Sequence, residues 1–485
     1  MADDLYDIVV VGFGAAGLAA ALSVIETAEE QAQRDFRIAV LERANRDERG
    51  GNTRWSTATF RMSDPDTLNS DFLSTLAAQT IEAGDYVREL ANMASETLHW
   101  AESKGLSFEP LRLYMTTDDA RIRPVGAGAA IVEVLGRHLE RAERGHFFGP
   151  KGSLAVVVEV HYETAAARLL YSKAGGLEGL EAQKANGVTE MFPARAVIFC
   201  SGGFQGNPEM MKSNLGFNVP PVSIGGRHNR GEGIEMQLAV GAEAAGQWDE
   251  FHPLPVDPRT SEANLMTFTA VMQTVPYSVM VNTNGDRFMD EGADSMDQLY
   301  DVVARSVQQQ EGRAAFAIFD EKVMRIPGYQ TAVNTDKRDE PYRGESIAEL
   351  AELIGIDAEN LGMVIDNFNE HVLVDEEGFD PNEKDGLSTV PGLIPPKSNW
   401  SRRIEEAPFF AYPVTCAGVF SFGGIATNAR GQVVDGDGLP IPGLFAAGEM
   451  TGLYHEDYVG ATSVLRSLVF GRIAGREATM FTLAT

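Results

Sequence analysis

The feature that most constrains the fold lies at the start of the chain, in Tyr6-Asp-Ile-Val-Val-Val-Gly-Phe-Gly-Ala-Ala-Gly-Leu. The β-branched run Ile8, Val9, Val10 and Val11 predicts a fully buried strand. Gly12, Gly14 and Gly17 follow at once, and the Ala-rich stretch 18–28 predicts a helix. In this arrangement the first glycine permits a tight turn. The second lets a pyrophosphate approach the backbone, and the third lets the helix lie close to the strand. The helix N-terminus then offers its N–H groups and its dipole to the phosphates. A second strand at 37–41 ends in Glu42, where a carboxylate would meet a ribose. Strand, glycines, helix and acid in this order predict an α/β, Rossmann-like unit that binds a dinucleotide.

The 485 residues predict two domains, or one large domain with an insertion. A net charge of −30 argues against nucleic acid and against anionic membrane surfaces as partners. It also means that an anionic substrate needs a locally basic pocket. Two cysteines, Cys200 and Cys416, make neither a disulfide framework nor an iron–sulfur cluster. There is no haem-attachment motif, and no metal site is expected. Cys200 closes a predicted buried strand and is expected to be an inert core thiol. The first strand begins within a few residues of Met1, and no apolar run reaches spanning length. The expectation is a cytoplasmic protein acting on a small molecule, with no membrane partner.

Along the chain, Gly50 and Gly51 suit a loop folding back over a flat ligand, with Asn52, Thr53 and Ser56 supplying polar groups. A plain turn reads equally well there. Residues 67–105 and 126–137 carry helical spacing. Strands are predicted from Ala155, over 177–183 and 188–191, and from Ala194 to Cys200, where Ser201, Gly202 and Gly203 follow. A helix follows Gly231. Residues 250–400 have more mixed polarity and more prolines, as in an inserted domain. Residues 376–396 read as a long loop, and the glycine-rich texture resumes at Pro408. A short buried strand from Pro442 reaches Gly448 and Glu449, and the last helix is expected over 460–478. The division expected is 1–249 and 404–485 for a discontinuous dinucleotide-binding domain, with an α+β capping domain at 250–403.

Gly12, Gly14, Gly17, Glu42, Gly50, Gly51, Ser201-Gly-Gly and Leu444-Phe-Ala-Ala-Gly-Glu resemble the signatures of the succinate dehydrogenase and fumarate reductase flavoproteins. That group includes tricarballylate dehydrogenase-like enzymes and the 3-ketosteroid Δ1-dehydrogenases. Phe251-His-Pro, Asn284-Gly-Asp-Arg-Phe-Met-Asp-Glu and the stretch from Ser463 to Arg472 match in order and spacing, so the resemblance covers nearly the whole chain. It implies FAD. Gly14, Ala15, Ala16, Gly17, Glu42 and Arg43 would take the adenosine-diphosphate end. Gly50, Gly51, Asn52 and Thr53 would approach the isoalloxazine. Glu449 would lie along the ribityl region and Val464 near the pyrimidine edge, with Gly202, Gly203, Gly448 and Ser463 as further cofactor contacts. Some relatives attach FAD through a histidine after the second glycine pair. The first histidine here is His99, so FAD is expected to be non-covalent.

Two departures from the dicarboxylate enzymes point to chemistry. Tyr300 stands where that group keeps its acid/base arginine, and Tyr458 where it keeps a substrate-clamping arginine. Tyr458-Val-Gly-Ala resembles the 3-ketosteroid dehydrogenases, in which a tyrosine hydroxyl and a nearby backbone N–H hold a ketone oxygen, an oxyanion-type site. The resemblance implies a desaturase acting beside a ketone, steroid-like or a smaller ring such as an oxocyclohexane carboxylate. Tyr458 and the Thr462 N–H would hold the oxygen, Tyr300 would take the α proton, and flavin N5 would take hydride from the β carbon. A tyrosine base needs a partner; His252, His455, Arg287 and Arg305 are the candidates. The alternative is a polycarboxylate enzyme, with Arg466, Arg121 or Arg123 as the clamp; a flavoprotein whose site has decayed ranks below both. Arg112 and Tyr114 read as surface-loop residues. Without cluster or haem motifs, electrons would leave to an external acceptor.

Overall fold

The computed structural model describes residues 5–78, 84–111, 120–144, 147–148, 155–173, 175–216, 221–259, 268–333, 340–373, 377–456 and 458–485. Arg112 and Tyr114 lie outside them. The glycine turn sits at the centre of a nine-stranded sheet. Strand Tyr6–Val11 pairs in parallel with Phe36–Leu41 on one side and with Thr189–Phe199 on the other. Ala155–His161 extends the first side, and Pro440–Ala446 extends the second, both in parallel. The first strand is thus flanked by strands reached in opposite directions, and at such a switch point a ligand crevice opens beyond the strand ends.

The first helix starts earlier than its composition suggests, at Ala15, directly after Gly14, and runs to Gln31. Gly12 has φ +112°, and a Cβ there would meet the Cys200 carbonyl oxygen at 2.4 Å. A Cβ on Gly17 would meet the Gly12 carbonyl oxygen at 2.0 Å, so only glycine lets strand and helix lie this close. The last helix, Ser463–Ala484, lies along the first. Gly471 and Gly475 make that contact possible: a Cβ on either would lie 2.4 Å from the carbonyl oxygen of Ala16 or Ala20. The helix begins at Ser463 rather than 460 because residues 460–461 form a turn, with Ala461 at φ +67°.

The stretch 67–105 is not all helix. Met62–Asp64 pairs with Thr67–Leu68 as a hairpin, because the Asp66 N–H donates to Asp64 Oδ1 at 2.8 Å and Pro65 fixes the turn. Helices Phe72–Ala78 and Gly84–Ser103 follow. The strands expected at 188–191 and 194–200 are one, Thr189–Phe199. Its first half pairs antiparallel with Leu177–Lys184 and its second half enters the central sheet.

A second, six-stranded sheet is built on Phe409–Ser421. This strand pairs with Phe251–Val256, Ala314–Asp320, Tyr342–Gly344 and Val222–Ser223. The sheet therefore takes strands from both sides of 250 and of 404. Phe251–Val256 carries two prolines and pairs on one side only, an edge position that tolerates missing N–H donors. Among the described residues no helix is long and apolar enough to cross a membrane, and no group of His, Cys, Asp or Glu is placed to hold a metal ion.

Candidate active site

One cavity runs from the glycine turn to the second sheet. Of the residues expected at a dinucleotide, Gly12, Gly14, Ala15, Ala16, Glu42, Arg43, Gly51, Asn52, Thr53, Gly202, Gly448, Glu449, Ser463 and Val464 line it. Gly17, Gly50 and Gly203 stand behind the wall. Gly17 backs the turn. Gly50, at φ +116°, lies against Val132, where a Cβ would be 2.7 Å from a methyl. Gly203 uses its N–H on a side chain of the site.

The first N–H groups of a helix have no partner within it. Thr53 Oγ1 accepts one of them, from Ala15, at 2.9 Å, and Ala16 lines the cavity next to it. Glu42 is buried, and Oε1 accepts the Ala44 N–H at 2.7 Å. Burial pushes its carboxyl up to about 7. Backbone N–H groups of Phe13 and Arg43 also act on it, and a carboxylate so held can accept further bonds from ribose hydroxyls. Arg43 pairs with Glu232 at 2.6 Å across the same end. Further along, Glu449 accepts from Asn52 Nδ2 at 2.8 Å, Asn229 Nδ2 at 3.2 Å and the Gly203 N–H at 3.1 Å. Burial pushes it, too, up to about 7. The turn, the helix terminus and the two buried acids fit the diphosphate, ribose and ribityl parts of FAD.

At the far end stand His252, Tyr300 and Tyr458. Strand periodicity turns His252 and Leu254 of one strand into the cavity, while Phe251 packs into a different core. Tyr300 comes from helix Met296–Gln308, and Tyr458 from the loop before the last helix. The His252 ring lies 4.5 Å from the Tyr458 ring and 5.5 Å from the Tyr300 ring, centre to centre. Phe420 packs on His252 at 5.1 Å and edge-on to Tyr458 at 4.9 Å. His252 Nδ1 is buried without a hydrogen-bond partner. Burial, with the Arg305 charge adding, pushes the imidazole down to about 3, so it is neutral at ordinary pH.

Thr462 is fully buried and does not line the cavity. Its N–H and that of Ser463 both donate to the Tyr458 hydroxyl at 3.2 Å, and the hydroxyl donates to Ser463 Oγ at 3.1 Å. The expected oxyanion pair is thus within bonding distance of itself: the hydroxyl caps the helix start where a ligand oxygen would sit. His455 lies elsewhere, on a second groove formed with residues 84–86, 243–246 and 426–430. Tyr454, one residue earlier, turns inward and shares a hydrogen bond with Thr462 Oγ1 at 2.8 Å, so the chain direction carries His455 away from the site.

Of the partners considered for Tyr300, His252 is in ring contact with it. Arg287 is buried against Glu291 at 2.8 Å in the second sheet's core, and Arg305 is paired with Glu250 at 2.7 Å and Asp301 at 2.5 Å. Arg466 lines the cavity but donates to the carbonyls of Gly448 at 3.1 Å and Thr451 at 3.2 Å. Arg123 pairs with Glu109 away from the cavity. Arg121 lines the wall beside Gly460. Sequence reasoning missed Asn229 and His228, although the glycine-dense run Gly225-Gly-Arg-His-Asn-Arg-Gly-Glu-Gly marks a close backbone approach. It also missed Thr164, Ala165 and Ala166, which carry no such signal.

A family profile described as FAD binding domain matches residues 7–465. Urocanate reductase of Eggerthella lenta is 27% identical over 499 residues, 97% of this chain and 74% of that protein. The 4-oxocyclohexanecarboxylate 2-dehydrogenase of Sinomonas cyclohexanicum is 29% identical over 353 residues, 65% of this chain and 57% of that protein. Among solved structures, an open flavocytochrome c3 fumarate reductase superposes with a TM-score of 0.75 at 20% identity, over 99% of this chain and 79% of that one. The 3-ketosteroid Δ4-(5α)-dehydrogenase of Rhodococcus jostii RHA1 gives 0.68 at 20% identity, over 98% and 97%. These two share the fold. The chain belongs to the FAD binding domain family, within the succinate dehydrogenase and fumarate reductase flavoproteins, and is an FAD-dependent oxidoreductase acting on CH–CH bonds.

Proposed function

We propose that the protein introduces a C=C bond beside the ketone of a cyclic substrate. The observation that supports this most is the placement of the Tyr300 and Tyr458 rings against His252, in the wall of the cavity that reaches the glycine turn. The alternating roles follow from chemistry. A ketone oxygen that gains charge as the α proton leaves needs donors already aimed at it. The Thr462 N–H donates to the Tyr458 hydroxyl at 3.2 Å, and this reading requires both to turn to the ligand oxygen when it binds. Tyr300, as the phenolate left once its own proton has passed to solvent, takes the α proton and becomes the phenol. FAD, when bound, accepts the β hydrogen with its electron pair. Neutral His252 touches both tyrosine rings without adding charge, and Phe420, Leu254 and Met272 give the ring of a substrate an apolar wall. The name of the Sinomonas relative describes this reaction class on a six-membered oxo ring.

A second reading is reduction of an unsaturated carboxylate. Arg121 in the cavity wall favours it, as does the extent of the match to a urocanate reductase.

The test is anaerobic mixing of the FAD-loaded protein with cyclic ketones while flavin absorbance is followed. Ketones are expected to bleach the flavin, and Tyr458→Phe to slow that bleaching by about 100-fold, the usual loss of one oxyanion donor. Bleaching by tricarballylate, unchanged in Tyr458→Phe, with no response to any cyclic ketone, refutes the proposal.

A further inference from the structure

Tyr300 enters the cavity from the first turns of helix Met296–Gln308, so its place is set by whatever holds the start of that helix. The hold comes from the long loop expected over 376–396, which continues to 401 and closes on itself. The Trp400 N–H donates to Asp385 Oδ1 at 2.9 Å, and its indole N–H to the carbonyls of Asp380 and Glu383, both at 2.9 Å. The Gly386 N–H donates to Asn399 Oδ1 at 2.9 Å. The Ser401 N–H donates to the Leu387 carbonyl at 2.9 Å, and the Thr389 N–H to that of Lys397 at 2.9 Å. A surface segment packed and bonded within itself keeps one shape, and here it is a strap.

The strap meets residues 290–292, just ahead of the helix. The Ser398 N–H donates to Asp290 Oδ1 at 2.9 Å, and its hydroxyl to Asp290 Oδ2 at 2.5 Å. Asn399 Nδ2 donates to the Gly292 carbonyl at 2.7 Å. A Cβ on Gly292 would lie 2.4 Å from the Asn399 carbonyl oxygen, so strap and turn touch backbone to backbone. Lys397 Nζ donates to the Ser278 carbonyl at 2.6 Å and lies 3.9 Å from Glu291, which Arg287 pairs at 2.8 Å. Trp400 shares a core with Met296 and Leu299 of the helix. The Asn399 amide joins the two halves of this contact. Its oxygen closes the strap and its nitrogen holds the turn. The side chain is buried, where a polar group that loses its partner is costly.

We propose that Asn399 is a positioning residue for Tyr300: its amide ties the strap to the turn at Gly292 and so fixes the start of the helix that carries the phenol into the cavity. This rests on the reading of Tyr300 as the group that takes the α proton. Asn399 does not line the cavity, so it acts on a substrate only through the helix. A misplacement of about 1 Å at a reacting group costs up to about 100-fold in rate.

The test is Asn399→Asp in the FAD-loaded protein. The carboxylate still accepts from the Gly386 N–H but cannot donate to the Gly292 carbonyl, so the strap closes while its hold on the turn is lost. Fluorine NMR of protein labelled with 3-fluorotyrosine reads the position, the Tyr300 signal being the one absent from Tyr300→Phe. Asn399→Asp is expected to shift or broaden that signal and to leave the Tyr458 signal in place. Ser398→Ala removes one bond of the same contact from an exposed site and is expected to move the Tyr300 signal less. If Asn399→Asp fails to retain FAD, Ser398→Ala decides alone. A Tyr300 signal that stays in place overturns the proposal. Flavin bleaching by saturating 4-oxocyclohexanecarboxylate reads the consequence. Asn399→Asp is expected to slow it by about 10-fold at an unchanged half-saturating concentration, and to add nothing in a Tyr300→Phe background. Equal slowing in that background assigns Asn399 to general stability and overturns the proposal. If Tyr300→Phe bleaches as fast as the unaltered protein, the reading of Tyr300 as the base falls, and a moved Tyr300 signal leaves the strap standing as what holds its helix.

Discussion

Replacing His252 by phenylalanine isolates the electrostatics of the site's far end. Burial holds the imidazole at about 3, against 6.5 in an unfolded chain, and Arg305, Tyr300 and Tyr458 surround it. A depressed histidine contributes stability that is full above pH 6.5 and is lost as pH falls toward 3, because the unfolded chain takes up the proton and the folded one does not. At pH 4.5 the two states differ by about 2 pK units, or about 2.7 kcal/mol. For 485 residues the unfolding entropy is about 1 kcal/mol/K, so this is about 3 °C in melting temperature. Phenylalanine fills the same place against Tyr300, Phe420 and Tyr458 and removes a buried nitrogen that has no partner. The variant is therefore expected to lose less between pH 7.5 and pH 4.5 than the unaltered protein, by about 3 °C. Differential scanning calorimetry of both proteins at the two pH values reads this directly. Parallel melting curves would refute the claim that the imidazole is held neutral.

Other expectations follow from the same geometry. Glu449 is raised, not lowered, so its contribution is present below pH 4.5 and is lost as pH rises to about 7; in the apoprotein, Glu449→Gln should gain on the unaltered protein over that interval, and melts that stay parallel from pH 5 to 8 would exclude it. Tyr300→Phe should leave ligand-induced changes in the flavin spectrum intact while slowing flavin reduction by at least about 100-fold, as for a lost general base; equal loss of binding would assign Tyr300 to packing instead. Thr53→Val strips the acceptor from the Ala15 N–H and should cost about 1 kcal/mol together with weaker FAD retention, measured by dialysis. Gly471→Val should prevent the first and last helices from closing and yield protein without FAD, seen as absent 450-nm absorbance at about stoichiometric added cofactor.

The cofactor end was legible because its chemistry is local. A strand, a turn and a helix in succession, then Glu42 one strand later, place groups by backbone geometry alone. Even there the backing glycines could not be told from the lining ones: Gly17 and Gly50 are required by contacts to Gly12 and Val132, partners that depend on packing. At the far end, Tyr300 and Tyr458 were picked out by residue type against a resemblance, and the fold brings both to His252. His455 misled because one residue decides which way a loop side chain faces, and Tyr454 takes the inward place. For Thr462 the sequence held the pairing with Tyr458 but not its form: the N–H is engaged by the very hydroxyl expected to stand beside it. Thr164 comes to the cavity through a crossing between distant strands, for which a single sequence holds no direct signal, whereas Asn229 sits in a glycine-dense run that marked a close approach.

The pairing of the first and last helices has a consequence for how the protein is made. Strand Tyr6–Val11 and helix Ala15–Gln31 are synthesised first, yet helix Ser463–Ala484, which lies along that helix, and strand Pro440–Ala446, two places across the same sheet, emerge after more than 400 residues. Glu449, Ser463 and Val464 arrive equally late. On the ribosome the nucleotide half must wait with its glycine face exposed, while the sheet on Phe409–Ser421 forms from segments closer together. Cofactor capture is accordingly a final, whole-chain event. A truncated product would carry the complete phosphate-binding fingerprint and lack the Glu449, Ser463 and Val464 part of the cavity wall.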